Sequence, residues 1–163
     1  MKKYFLFLVS LVFAFTFVAC SDDDDNEQPV VSPISILYNN EEVKNNEVIS
    51  YEAKQNEFGE IVAGEEGEPV FVPKSTCKLE VAVTLPEQDF CTLQWCGITG
   101  SCAFLETADT YVRVAEKFAK QDPLGMEAFF TKYGSCLVKV NVKANDKQER
   151  VFYIQYNYPE IKK

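Results

Sequence analysis

Six cysteines and no histidine set the chemical range of this 163-residue chain. Without an imidazole there is no Ser–His or Cys–His pair, and the commonest general base is missing. Mixed cysteine–histidine zinc sites are excluded for the same reason. A carboxylate-based hydrolase is the weakest reading, because no pair of acids has a spacing that argues for it. The chemistry left to the chain is that of its thiols: acylation, disulfide formation or metal binding. Neither Cys91-x4-Cys96 nor Cys96-x5-Cys102 has the Cys-x-x-Cys spacing of a redox pair, and no helix start follows to lower a thiol pKa. Four thiolates on zinc suit a reducing compartment, not an oxidising one. We expect no catalytic residue, no metal and no cofactor.

Cys20 stands apart from the other five. Lys2 and Lys3 precede an apolar run from Tyr4 to Ala19, so residues 1–19 read as a signal peptide. The run is short of the roughly 20 residues that span a bilayer. Cleavage before Cys20 leaves a thiol and an amine that can both be acylated. Each buried methylene contributes about 0.8 kcal/mol, so two or three chains make a lasting anchor. Ser21, Asp22, Asp23, Asp24 and Asp25 then form a block of like charge that cannot pack and that extends by self-repulsion. Residues 20–33 read as a lipidated cysteine and an acidic tether. Phe17-Val18-Ala19-Cys20 resembles a bacterial lipobox, with Phe17 where leucine is commonest. The acidic run directly after the cysteine resembles the export signal of surface-exposed Bacteroidota lipoproteins. That resemblance implies lipidation at Cys20, an export signal in Ser21 through Asp25, and an outer-membrane address facing the cell exterior.

The rest, residues 34–163, is one domain's worth of chain, enough to bury a core. The full chain, with 16 basic and 25 acidic residues, is acidic, and loss of Lys2 and Lys3 with the leader makes it more so. Such a surface repels nucleic acid. Cys77, Leu79, Val81, Val83 and Leu85 alternate with polar residues, as do Cys136, Val138, Val140 and Val142. This period of two predicts half-buried strands. Cys91, Leu93 and Trp95 share an inner face, with Thr92, Gln94 and Cys96 outward. Asn145-Asp146 divides residues 136–158 into a hairpin whose return strand turns Phe152, Ile154 and Tyr156 inward. Residues 110–121 have a helix-like spacing of Val112, Ala115 and Phe118, but Val112 and Val114 are β-branched, and a strand is the better reading. Met126–Tyr133 reads as a further strand. Residues 57–69, rich in glutamate and glycine, read as a solvated loop or loose hairpin.

About seven short strands with alternating faces predict an all-β, immunoglobulin-like β-sandwich. In that fold the second and sixth strands lie in opposite sheets and run the same way. Cys77 opens the strand assigned as second and Cys136 the one assigned as sixth, which makes Cys77–Cys136 a candidate bridge; the alternative is two small buried hydrophobes. Trp95 falls where such domains place a core tryptophan. Cys96 and Cys102 flank Gly97-Ile-Thr-Gly-Ser101, whose glycines let the loop turn back, so Cys96–Cys102 is the stronger disulfide candidate. It is worth about 2–2.5 kcal/mol by chain entropy. Cys91 is then left over and inert. Leu93-Gln-Trp-Cys-Gly-Ile-Thr-Gly-Ser-Cys102, with Tyr133-Gly-Ser-Cys-Leu-Val-Lys-Val140 and a terminal aromatic strand, resembles small immunoglobulin-like domains of Bacteroidota lipoproteins. The resemblance covers roughly residues 75–158 and implies a fold and an envelope setting, with no catalytic residues to carry over.

Two further groups bear on ligand contact. Glu57, Glu60, Glu65, Glu66 and Glu68 lack the aspartate and asparagine offsets of a calcium loop. Tyr111, Tyr153 and Tyr158 could offer stacking surfaces to a glycan or protein. The expected function is a surface-exposed outer-membrane lipoprotein acting as a non-catalytic binding, adhesion or accessory module. It would be held at the membrane by its lipid and would recruit a protein or glycan ligand. The alternative is a structural subunit of a cell-envelope assembly.

Overall fold

The computed structural model describes residues 31–160 apart from Glu65 and Thr99. No helix occurs among them. In chain order the strands are β1 (Ile34–Tyr38), β2 (Glu41–Glu42), β3 (Val48–Glu52), β4 (Lys54–Gln55), β5 (Ile61–Ala63), β6 (Val70–Pro73), β7 (Cys77–Thr84), β8 (Cys91–Trp95), β9 (Ala103–Leu105), β10 (Thr110–Phe118), β11 (Asp122–Pro123), β12 (Met126–Phe130), β13 (Gly134–Ala144) and β14 (Lys147–Tyr158). They form three sheets, ordered β10-β7-β13-β14-β3, β4-β5-β12-β8-β9 and β11-β6-β1-β2. The expected all-β sandwich class holds.

The alternation read from sequence is the alternation that packs. Leu79, Val81 and Val83 of β7, Val138, Val140 and Val142 of β13, and Phe152 and Ile154 of β14 are fully or almost fully buried. Each contributes about 1.5–3 kcal/mol by leaving water. The β13–β14 hairpin closes through Asn145 and Asp146, at φ 50° and 64°. Positive φ at both central residues is what a type I′ turn requires, and asparagine and aspartate tolerate it. The first sheet faces the other two across a single apolar cluster. Tyr156 Oη of β14 donates to Met126 O of β12 at 2.9 Å. Tyr158 packs on Phe130 at 5.8 Å between centroids. Tyr38 of β1 meets Tyr51 of β3 edge-on at 6.2 Å.

Residues 110–118 are a strand, and their helix-like spacing has a physical origin. A register shift between Ala115 and Phe118 turns both inward against β7. A β-bulge thus imitates the i, i+3 period of a helix.

The assignment of second and sixth strands to opposite sheets does not hold. β7 and β13 are antiparallel neighbours in one sheet, with Val81 opposite Val142 and Val83 opposite Val140. Cys77 lies at one end of the pair and Cys136 at the other, separated by about ten residues at about 3.4 Å each, or roughly 34 Å. A disulfide needs Cα atoms within about 7 Å. Cys77–Cys136 is therefore not a bridge, and both thiols are free.

Segment 34–63 contributes short strands to all three sheets. β3 adds in parallel to β14, Ile49 opposite Ile154. β4 and β5 form a small hairpin around Asn56, whose Oδ1 accepts from the Phe58 and Glu60 amides at 3.0 and 2.9 Å.

Candidate functional site

β8 is five residues long and joins two chemically different ends of the core. At its C-terminal end is Trp95, 1% exposed, with Nε1 donating to Leu124 O at 2.8 Å. Cys96 and Cys102 are bonded directly beyond it, as expected. The loop they close is held from within. Arg113 of β10 lies on the inward parity, its guanidinium carbon 4.4 Å from the Trp95 ring centroid. Nη2 donates to Trp95 O at 2.7 Å and to Ser101 O at 2.8 Å, and Nη1 donates to Gly97 O. A half-buried cation needs acceptors, and the loop carbonyls supply them while the indole face supplies a cation–π contact. Ile98, at φ 58°, is fully buried. Gly97 lies against the backbone carbonyls of Pro123 and Leu124, leaving no space for a Cβ. The Gly125 amide donates to Glu68 Oε2 at 3.0 Å. Burial raises the Glu68 carboxyl pKa, and this amide partly offsets the rise.

The opposite end is built from rings. Phe90 stacks on Phe130 at 6.2 Å, Phe130 meets Tyr158, and Tyr158 meets Tyr133 at 4.6 Å and 40°. Tyr133 is 51% exposed. Beside this pair lies an open cleft of 600 Å³ lined by Glu52, Tyr133, Ser135, Asn157, Tyr158 and Glu160, among others. Its polar side is ordered: Ser135 Oγ donates to Asn157 Oδ1 at 2.7 Å, and Gln155 Nε2 donates to Ser135 Oγ at 3.0 Å. An aromatic wall beside amide, hydroxyl and carboxylate groups can stack on an apolar face of a ligand and hydrogen-bond its edge. A second, smaller cleft of 270 Å³ lies between Tyr51, Lys54, Val62 and Glu66 and shares Glu52.

Of the three tyrosines singled out by sequence, only Tyr158 is in the cleft. Tyr111 Oη accepts from the Glu106 amide at 2.7 Å and so holds the connection between β9 and β10. Tyr153 is on the outer face of the first sheet, half-buried opposite Lys139. Tyr133 was not among them; its place after the inward-facing Phe130 and before Gly134 is the signal for an exposed ring at a strand junction. Among the glutamates, Glu57, Glu60 and Glu66 are exposed, whereas Glu68 is half-buried and bonded. Among the described residues no cluster of three or more potential ligands could hold a metal. Cys91 faces inward, as read from sequence, and is free. Cys20, Ser21, Asp22, Asp23, Asp24 and Asp25 lie outside the described residues.

No family model matches the chain, and no curated protein matches it. Among solved structures, the N-terminal domain of PorA superposes with a TM-score of 0.54 at 15% identity, over 77% of this chain and 96% of that one. A crystal structure from Francisella tularensis str. tularensis SCHU S4 gives 0.43 at 11% identity, over 71% of this chain and 94% of that one. The second score is too low to carry an argument. The first shows that this β-sandwich has the same overall fold as the N-terminal domain of PorA.

Proposed function

We propose that this chain is a lipid-anchored outer-membrane protein, facing the cell exterior, whose sandwich is a non-catalytic binding or accessory module. The observation that carries the binding role is the Tyr133–Tyr158 pair: two rings 4.6 Å apart, one half exposed, beside an ordered polar floor. The address rests on Cys20 and the acidic block Asp22 to Asp25. The ligand class that suits the cleft is a glycan or a protein segment with an apolar face and a hydrogen-bonding edge.

The test compares wild type with Tyr133→Ala and Tyr158→Ala on intact cells. Soluble polysaccharides in affinity electrophoresis form one arm, and cross-linking capture of protein partners the other. Loss of retardation or capture by about tenfold or more in both variants, with surface protease shaving unchanged, supports the reading. Binding unchanged in both variants would move it away from this cleft. A structural-subunit role is favoured by one different feature: β10 is a nine-residue edge strand with Val112 and Val114 exposed, and such edges accept a strand from a neighbour.

A further inference from the structure

Cys91 and Cys136 come from different sheets, and three contacts show that they oppose each other. Cys91 is paired with Phe130 in its sheet, and Cys136 with Tyr156 in the other. Phe130 packs on Tyr158, and Tyr156 bonds to Met126, so these strand ends face one another across the core. Gly134, two residues before Cys136, lies against the ring of Phe90, the residue before Cys91, too close for a Cβ. The two thiols complete this contact. They are 7% and 0% exposed, and each perturbs the ionisation of the other.

We propose that Cys91 and Cys136 form a second disulfide, joining the two sheets at the tyrosine-lined end of the sandwich. The remaining cysteines do not compete: Cys96 is bonded to Cys102, and Cys77 lies at the far end of β7. In the cross-linking step the thiolate of one cysteine attacks a disulfide-bearing oxidant, such as oxidised glutathione, and displaces one thiolate. The second cysteine sulfur then attacks the mixed disulfide and displaces the other. The protein loses two electrons and two protons, and the oxidant leaves as two thiols. Because the site is buried, the exchange takes place during folding, before the sheets close.

The purified full chain is unfolded under reducing conditions, refolded in a glutathione redox buffer, alkylated and digested without reductant. Recovery of a Cys91 peptide linked to a Cys136 peptide is expected. Both cysteines recovered alkylated, or either linked to Cys77, would overturn the pairing. The same mapping on protein taken directly from cells reports the compartment separately: a link made in the glutathione buffer but missing from cells would count against export, not against the pairing. A variant carrying Cys20→Ala, Cys77→Ala, Cys96→Ser and Cys102→Ser isolates the pair. Its melting temperature should fall by roughly 10–20 °C on reduction, and no change would count against the bond. If that variant fails to fold, the mapping of the unmodified chain decides.

Discussion

The two ends of β8 solve the same problem with different chemistry. At the Trp95 end a guanidinium, three loop carbonyls, a covalent bridge and two close backbone approaches close the core. Nothing of that end is spare, since each donor of Arg113 that reaches the loop has an acceptor inside the protein. At the Cys91 end the closure is a chain of rings from Phe90 to Tyr133, and the last ring is half in water. Ring stacking is nondirectional enough to leave a face available, whereas a network of fixed donors and acceptors is not. The fixed donors and acceptors are concentrated at one end and the proposed recognition surface lies at the other.

The contrast is broken most severely at Gly97. Its Cβ position is occupied by the carbonyls of Pro123 and Leu124, so Gly97→Ala must displace backbone rather than a side chain. We expect a loss of about 3 kcal/mol or more, measured as a lower denaturant midpoint at unchanged slope. Wild-type stability in this variant would mean that the loop is not pinned.

Arg113 gives a finer test of the same end. Arg113→Lys keeps the charge but loses the planar fork that spans three carbonyls. It should cost about 1–2 kcal/mol, and Arg113→Ala about 3 kcal/mol. Equal stability of the lysine variant and wild type would show that charge alone suffices. The smallest effect is expected at the other end. Tyr133→Ala removes a half-exposed ring and should change stability by less than about 1 kcal/mol while abolishing ligand retention. A loss of several kcal/mol would reverse the assignment of that end as the recognition surface.

Much of this fold was legible because side-chain parity is legible. The inner faces of β7, β8, β13 and β14, the turn at Asn145-Asp146 and the Cys96–Cys102 pair follow from alternation and loop length. Parity says which face a residue takes, not which strand lies beside it. Parity therefore does not reveal that β7 pairs with β13, nor that Cys77 and Cys136 lie at opposite ends of that pair. The segment from Ile34 to Ala63 was opaque for another reason, since β2, β4 and β5 have two or three residues each and too few positions to show a period. Arg113 shares inward parity with Tyr111 and Ala115. A cation on the buried side of a strand is itself a signal of waiting acceptors, and it is the feature by which the closed end could have been found.

The indole beneath that guanidinium has an optical consequence. Trp95 is the chain's one tryptophan, whereas tyrosines number eight. Its emission reports a dry, hydrogen-bonded site at one end of β8, while the near-ultraviolet dichroism of the contacting rings of Tyr133 and Tyr158 reports the other. One thermal melt followed in both signals reads the two ends of the sandwich separately. Coincident transitions mean that a five-residue strand couples them into a single cooperative unit, and separated transitions give the order in which the ends open.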